Sequence, residues 1–292
     1  MPILALLALV LAPPAPELHY ARQEDRRIDF VAANLDGGEG RVLGSLTLDE
    51  GEETLGLALA PDGRRAFLAL FGADGRSRLV RFEYNGERRD LVTQASFDDI
   101  VGLDVAPDGR TLAFGAVSDG PLRLAVIGTD GAGLRRLAPD GHGANPAFDG
   151  TGGNIAYEAL VPDPNRPEIQ QSTIWTIATA GGEPRRLTPF GLRAQTPAWS
   201  PDGARVLYRA TPGGIGTAFD LRHTGADGRG PMQLFRDLPA AMDMRPFFHP
   251  DGATLWLGYT GEGLFSAPFA GGELSRRVEE PLGLLAAKWI RR

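Results

Sequence analysis

Thr196-Pro197-Ala198-Trp199-Ser200-Pro201-Asp202-Gly203 is a short alternating run that ends in a tight turn. Proline presets φ and glycine accepts positive φ, so Pro-Asp-Gly between apolar runs specifies that turn. The phrase recurs as Ala60-Pro61-Asp62-Gly63, Ala106-Pro107-Asp108-Gly109 and His249-Pro250-Asp251-Gly252, with a degenerate copy at Asp149-Gly150-Thr151-Gly152. The aspartate column falls at 62, 108, 151, 202 and 251, in steps of 46, 43, 51 and 49 residues. Periods of that size mean solenoids or propellers.

Working outward, each turn is followed by an alternating strand whose apolar columns align as Ala66, Leu112, Ile155, Val206, Leu255 and then Leu68, Phe114, Tyr157, Tyr208, Leu257. About twenty residues later comes a second turn, at Asn85-Gly86, Asp130-Gly131, Gly181-Gly182, Asp227-Gly228 and Gly271-Gly272, with a strand on either side. Each repeat is therefore four strands, A to D, the content of a propeller blade. A sixth C–D turn, Asp36-Gly37-Gly38, has no Pro-Asp-Gly before it. Glu17 to Ala21 aligns ahead of it with strand B, and Leu284 to Trp289 aligns with strand A. The predicted fold is all-β: a six-bladed propeller of four-stranded blades, its ring closed by a C-terminal strand A that joins N-terminal strands B–D. Closure in that manner pairs otherwise open strand edges.

The run from Thr196 to Gly203, together with Ile174-Trp175 through Gly181-Gly182 and Arg185-Arg186-Leu187-Thr188, resembles the repeat of TolB-like WD-type β-propellers. The resemblance covers residues 17–292 as one domain and has no counterpart to the additional α/β domain that precedes the TolB propeller. It implies architecture and leaves activity open. The propeller that gates prolyl oligopeptidase-type enzymes has a similar repeat, but no residues are left over for their hydrolase domain.

Composition agrees. Among 292 residues there are 39 glycines and 23 prolines, roughly a fifth of the chain, against about 12% on average. With 42% hydrophobic residues the chain can bury a core. The absence of cysteine excludes disulfides, thiolate nucleophiles and Cys-ligated metals. A net charge of −7 without a basic run excludes the footprint of a nucleic-acid binder. Ile3 to Ala12 is an apolar run followed by Pro13, Pro14 and Pro16. It is too short to span a bilayer and fits the hydrophobic region of a secretory signal. We read residues 1–16 as a signal peptide and the product as periplasmic or secreted, with no transmembrane segment and a monomeric state.

Strand A lines the channel of this fold, and alternation divides its residues. One parity (Leu57/Leu59, Leu103/Val105, Pro146/Phe148, Pro197/Trp199, Pro246/Phe248, Ala287/Trp289) is expected to pack between blades. The other carries Asp104, Asn145, Thr196, Arg245 and Lys288 into the channel. Two readings of that ring stand: a site for a small anion, a metal or a chain terminus, or a satisfied lining in which Asp104 pairs with Lys288 or Arg245. B–C and D–A connections share one face and vary in length. Leu160 to Ser172 is the largest insertion and Arg236 to Met244 is another. Arg166, Phe190 and Arg193, with Asp98, Asp99 and Met242, fall on that face and form a mixed-charge mouth.

No Gly-x-Ser-x-Gly elbow, His-Glu-x-x-His pair or calcium loop occurs, and the four histidines share no structural column. Gly213-Gly214-Ile215-Gly216 sits between strands with no helix to bind an anion, so it reads as a B–C loop. His249, in place of the serine before Pro-Asp-Gly, reads as a turn residue. The expectation is a non-catalytic scaffold with no cofactor, binding a protein or peptide through its variable-loop face. The alternatives are a metal-dependent propeller hydrolase or lactonase, for which the lining offers only Asp104 and Asn145, and an accessory propeller to a separately encoded enzyme.

Overall fold

The computed structural model describes residues 15–35, 39–92, 97–118, 120–137, 142–211, 218–240, 245–280 and 283–290. The apolar run before residue 15, the turn at residues 36–38 and the segments 212–217 and 241–244 lie outside them, and with them Gly213 to Gly216 and Met242.

Among the described residues, twenty-four strands form six antiparallel four-stranded sheets. Blade 2 is β4(Glu53–Leu59) to β7(Arg88–Asp90), and blade 3 is β8(Asp99–Val105) to β11(Arg135–Arg136). Blade 4 runs from β12(Ala144–Phe148) to β15(Arg185–Arg186), blade 5 from β16(Ala194–Trp199) to β19(Met232–Pro239), and blade 6 from β20(Phe247–Phe248) to β23(Ser275–Glu279). Blade 1 has the order β24-β1-β2-β3: β1(Glu17–Glu24), β2(Arg27–Ala32) and β3(Arg41–Thr47) take β24(Gly283–Ile290) as their inner strand. Closure is as the sequence predicts, with Leu18 opposite Trp289 and His19 opposite Lys288.

The turns show why the repeat is spelled as it is. In each Pro-Asp-Gly turn the glycine has φ between 65° and 71°, and its N–H donates to the carbonyl three residues earlier, as Gly203 does to Ser200 at 2.9 Å. The aspartate accepts from the amide two residues on: Arg64 to Asp62, Arg110 to Asp108, Ala204 to Asp202, Ala253 to Asp251. In the degenerate copy Thr151 Oγ1 takes that place, accepting the Gly153 amide at 3.1 Å. His249 serves its own turn, its Nδ1 accepting the Asp251 amide.

Six apolar clusters sit at the six blade interfaces. Phe67 and Leu79 meet Leu103 and Phe114 between blades 2 and 3; Leu18 and Tyr20 meet Trp256 and Leu264 between blades 6 and 1. Burial of both faces of every blade is what requires the continuous apolar strands B and C. One expectation needs amending. Strand A is packed on both faces: Leu57 and Leu59 join the blade 1–2 cluster while Ala58 joins the blade 2–3 cluster. The parity that carries the polar ring therefore faces the next blade as well as the channel.

A candidate binding site at the channel and its mouth

The ring positions owe their aim to a repeated irregularity. Strand A loses register with strand B in five blades, between Thr54/Gly56, Val101/Leu103, Ala144/Ala147 and Gln195/Ala198, and opposite Ala21/Arg22 in β24. Such bulges bend a strand and redirect a side chain. At equivalent places Gly102, Asn145 and Thr196 take left-handed φ of 69°, 47° and 47°. Gly102 has a second reason to be glycine: a Cβ there would lie 2.7 Å from the Asn145 Cα. Pro146 and Pro197, each just after a bulged residue, suit places where no ladder N–H is needed.

The ring divides into two halves. In blade 3, Asp104 Oδ2 accepts the Phe148 amide of blade 4 at 2.8 Å, and it forms no ion pair with Lys288 or Arg245. In blade 4, Asn145 Nδ2 donates to Glu158 Oε2 at 3.0 Å. In blades 5, 6 and 1 stand Thr196, whose Oγ1 is buried without a hydrogen-bond partner, then Arg245 and Lys288. Both cations keep partial solvent access through the channel. Burial pulls the Arg245 guanidinium below its usual range, with Asp104 opposing. Burial likewise lowers the Lys288 ammonium, Asp104 opposing and Arg245 reinforcing.

Above the ring, the insertion from Leu160 to Ser172 is not an irregular loop. It lengthens strands B and C into a hairpin, β13(Asn154–Asp163) and β14(Arg166–Ala178), with Pro164 and Asn165 at its tip. Arg166 is thus the first residue of a strand, ion-paired to Asp163 at 3.4 Å. Buried Gln171 donates to Asp163 Oδ2 at 2.7 Å and accepts the Gly191 amide from the next D–A connection. Phe190, in that connection, lies 4.2 Å under the Arg186 guanidinium. Arg193 follows with φ of 45°. Asp98, in the D–A connection before blade 3, pairs with Arg76 of blade 2 at 2.7 Å.

Glu158 joins the two levels, and the sequence reading did not single it out. Besides Asn145 it accepts from Ser172 Oγ of the hairpin at 2.8 Å and from Gln195 Nε2 of blade 5 at 3.2 Å. Its column offers a signal: Ala21, Ala69, Gly115 and Gly258 are small, while Glu158 and Arg209 are large and charged. Among the described residues no three of His, Asp and Glu come together as a metal-ligating group.

Six four-stranded sheets in a ring, one of them lengthened by the β13–β14 hairpin, define a six-bladed β-propeller. Among solved structures the chain is similar to TolB from Acinetobacter baumannii, at 17% identity and a TM-score of 0.69, over 94% of this chain and 66% of that one. It is also similar to a chain in a nidogen/laminin complex (14%, TM-score 0.68, 93% and 97%) and to oligogalacturonate lyase from Vibrio parahaemolyticus (12%, TM-score 0.59, 82% and 70%). These likenesses show the fold. No family model and no curated protein matches the sequence.

Proposed function

We propose that this protein is an exported, non-catalytic propeller that captures a protein or peptide on the face bearing the β13–β14 hairpin and the channel mouth. The observation that carries this reading is the hairpin itself. This segment is ordered by the Asp163–Gln171–Gly191 links and still exposes Leu160 (41%) and Ile169 (37%). Apolar anchors among mixed charges are the composition of an interaction patch. Variable elements on a rigid scaffold are where function collects, and the nidogen likeness comes from a propeller solved in complex with laminin. Export rests on the apolar run Ile3 to Ala12, and no helix among the described residues is long and apolar enough to cross a membrane.

The test replaces Pro162 to Gln170 with a two-residue turn and compares quantitative pull-downs from the native host. Partner capture is expected to fall at least tenfold with an unchanged melting temperature. Arg64→Ala and Arg110→Ala, beside turns of the opposite face, are expected to retain it. Loss with the control changes alone would place binding on the other face.

An enzymatic reading draws on the likeness to oligogalacturonate lyase, which has also been solved with manganese. One tightly held divalent ion per purified chain would favour it. An accessory role beside a separately encoded enzyme would appear as co-purification of that enzyme.

A further inference from the structure

Two cations and a hydroxyl sit on the inner strands of neighbouring blades, without a hydrogen-bond partner among the described residues. Thr196, Arg245 and Lys288 belong to blades 5, 6 and 1, which are consecutive around the ring. Thr196 Oγ1 is buried and unpartnered, and Thr196 is a β-branched residue held at φ 47°, a conformation such residues rarely adopt. Neither Arg245 nor Lys288 forms an ion pair or a side-chain hydrogen bond among the described residues; each feels Asp104 only through space. That carboxylate accepts the Phe148 amide on Oδ2 instead. Glycine and alanine at 56, 58, 102, 147, 198 and 286 keep much of the rest of the ring small, with Phe247, Asn145 and Asp104 the larger exceptions. Half-buried cations without ion-pair partners are costly, and backbone strain that persists in the adjoining blade points to a site.

We propose that the channel between Thr196, Arg245 and Lys288 binds an oxyanion that enters from the hairpin face. A guanidinium fork, an ammonium and a hydroxyl donor together complement a carboxylate or a sulfate-like group. Two cations against one carboxylate oppose a divalent metal at the same place. The anion has two possible sources, a free inorganic ion or the carboxylate of a chain. The site needs no protein partner, so it stands or falls separately from the hairpin-face reading.

Thermal melts of the full chain test it with two probe pairs. Sodium sulfate is compared with sodium chloride at equal ionic strength, and acetyl-triglycine with its amide. Sulfate also stabilises proteins generally by exclusion; that part does not saturate and is shared by every variant. For the wild type we expect a saturable rise of about 3–5 °C at tenfold the dissociation constant. An Arg245→Gln/Lys288→Met double variant is expected to lose the saturable part, and Lys288→Arg to keep it. Lys288→Met in plain buffer is expected to melt at or above the wild type, because no bond is lost with the charge. Saturation by acetyl-triglycine alone supports a chain carboxylate, and saturation by sulfate supports a free oxyanion. No saturable rise with either probe, or a Lys288→Met chain that melts well below the wild type, would overturn the proposal.

Discussion

Thr196 shows how one residue carries both local strain and a functional position. Its neighbours in the same column reach left-handed φ as Gly102 or Asn145, for which the conformation is cheaper. Thr196→Gly is therefore expected to stabilise the protein by about 1 kcal/mol, strain relief outweighing the extra chain entropy of glycine; the urea midpoint reads it. Acid sensitivity also belongs to single residues. Burial, then Arg205, hold the His223 imidazole below its usual range. It stays neutral in the fold while the unfolded chain takes up a proton near pH ~6.5. Its contribution is complete above that pH and declines as pH falls below it. Burial disfavours ionised Asp149, but bonds from Asn154, Thr151 and the Asn154 and Gly153 amides outweigh it and depress its pKa. That carboxylate adds stability above about pH 4, lost as pH falls further. A melting series from pH 8 to 3 is expected to show both declines, and His223→Leu to remove the first alone. Single residues were also where the sequence was least legible. The Pro-Asp-Gly column announced itself, whereas Glu158 is one side chain whose three partners come from β12, β14 and β16, which only the folded ring brings together.

The strand β24 is the element on which closure depends. It pairs with β1 from Glu17 to Gln23, and Trp289 packs edge-on to His249 at 4.4 Å and to Trp256 at 5.5 Å. Tyr20 and Arg22 of β1 hold buried Glu280, just after β23, at 3.2 Å and 2.9 Å, which ties blade 1 to blade 6 a second time. Removal of residues 282–292 is expected to unfold or oligomerise the chain, since β1 would present an open edge. Trp289→Ala is expected to cost about 3–5 kcal/mol in denaturant titration. A truncated chain that stays monomeric with unchanged melting would show that the ring closes some other way. These elements were legible because turn chemistry and period-two alternation are local. The hairpin was legible only as an excess of length: Pro162, Pro164 and Pro167 read as a loop, and they sit instead around the tip and a register slip where ladder donors are not required.

At the scale of the whole molecule, the ring puts short, repetitive turns on one face and the hairpin, Phe190 and the entrance to the channel on the other. The repeat predicts that division, because an up-and-down meander sends A–B and C–D turns to one side. Which residues of the second face act together was not legible, since it depends on blades 4 and 5 meeting at Glu158 and Gln171. The central claim is that the hairpin face is the one that engages a partner. Site-specific photo-crosslinking in the native host tests it most directly, with a benzophenone amino acid placed at Ile169 on the hairpin or at Arg64 on the opposite face. The account requires a discrete crosslinked species from position 169 and none from position 64. A discrete species from position 64, with position 169 silent, would contradict it.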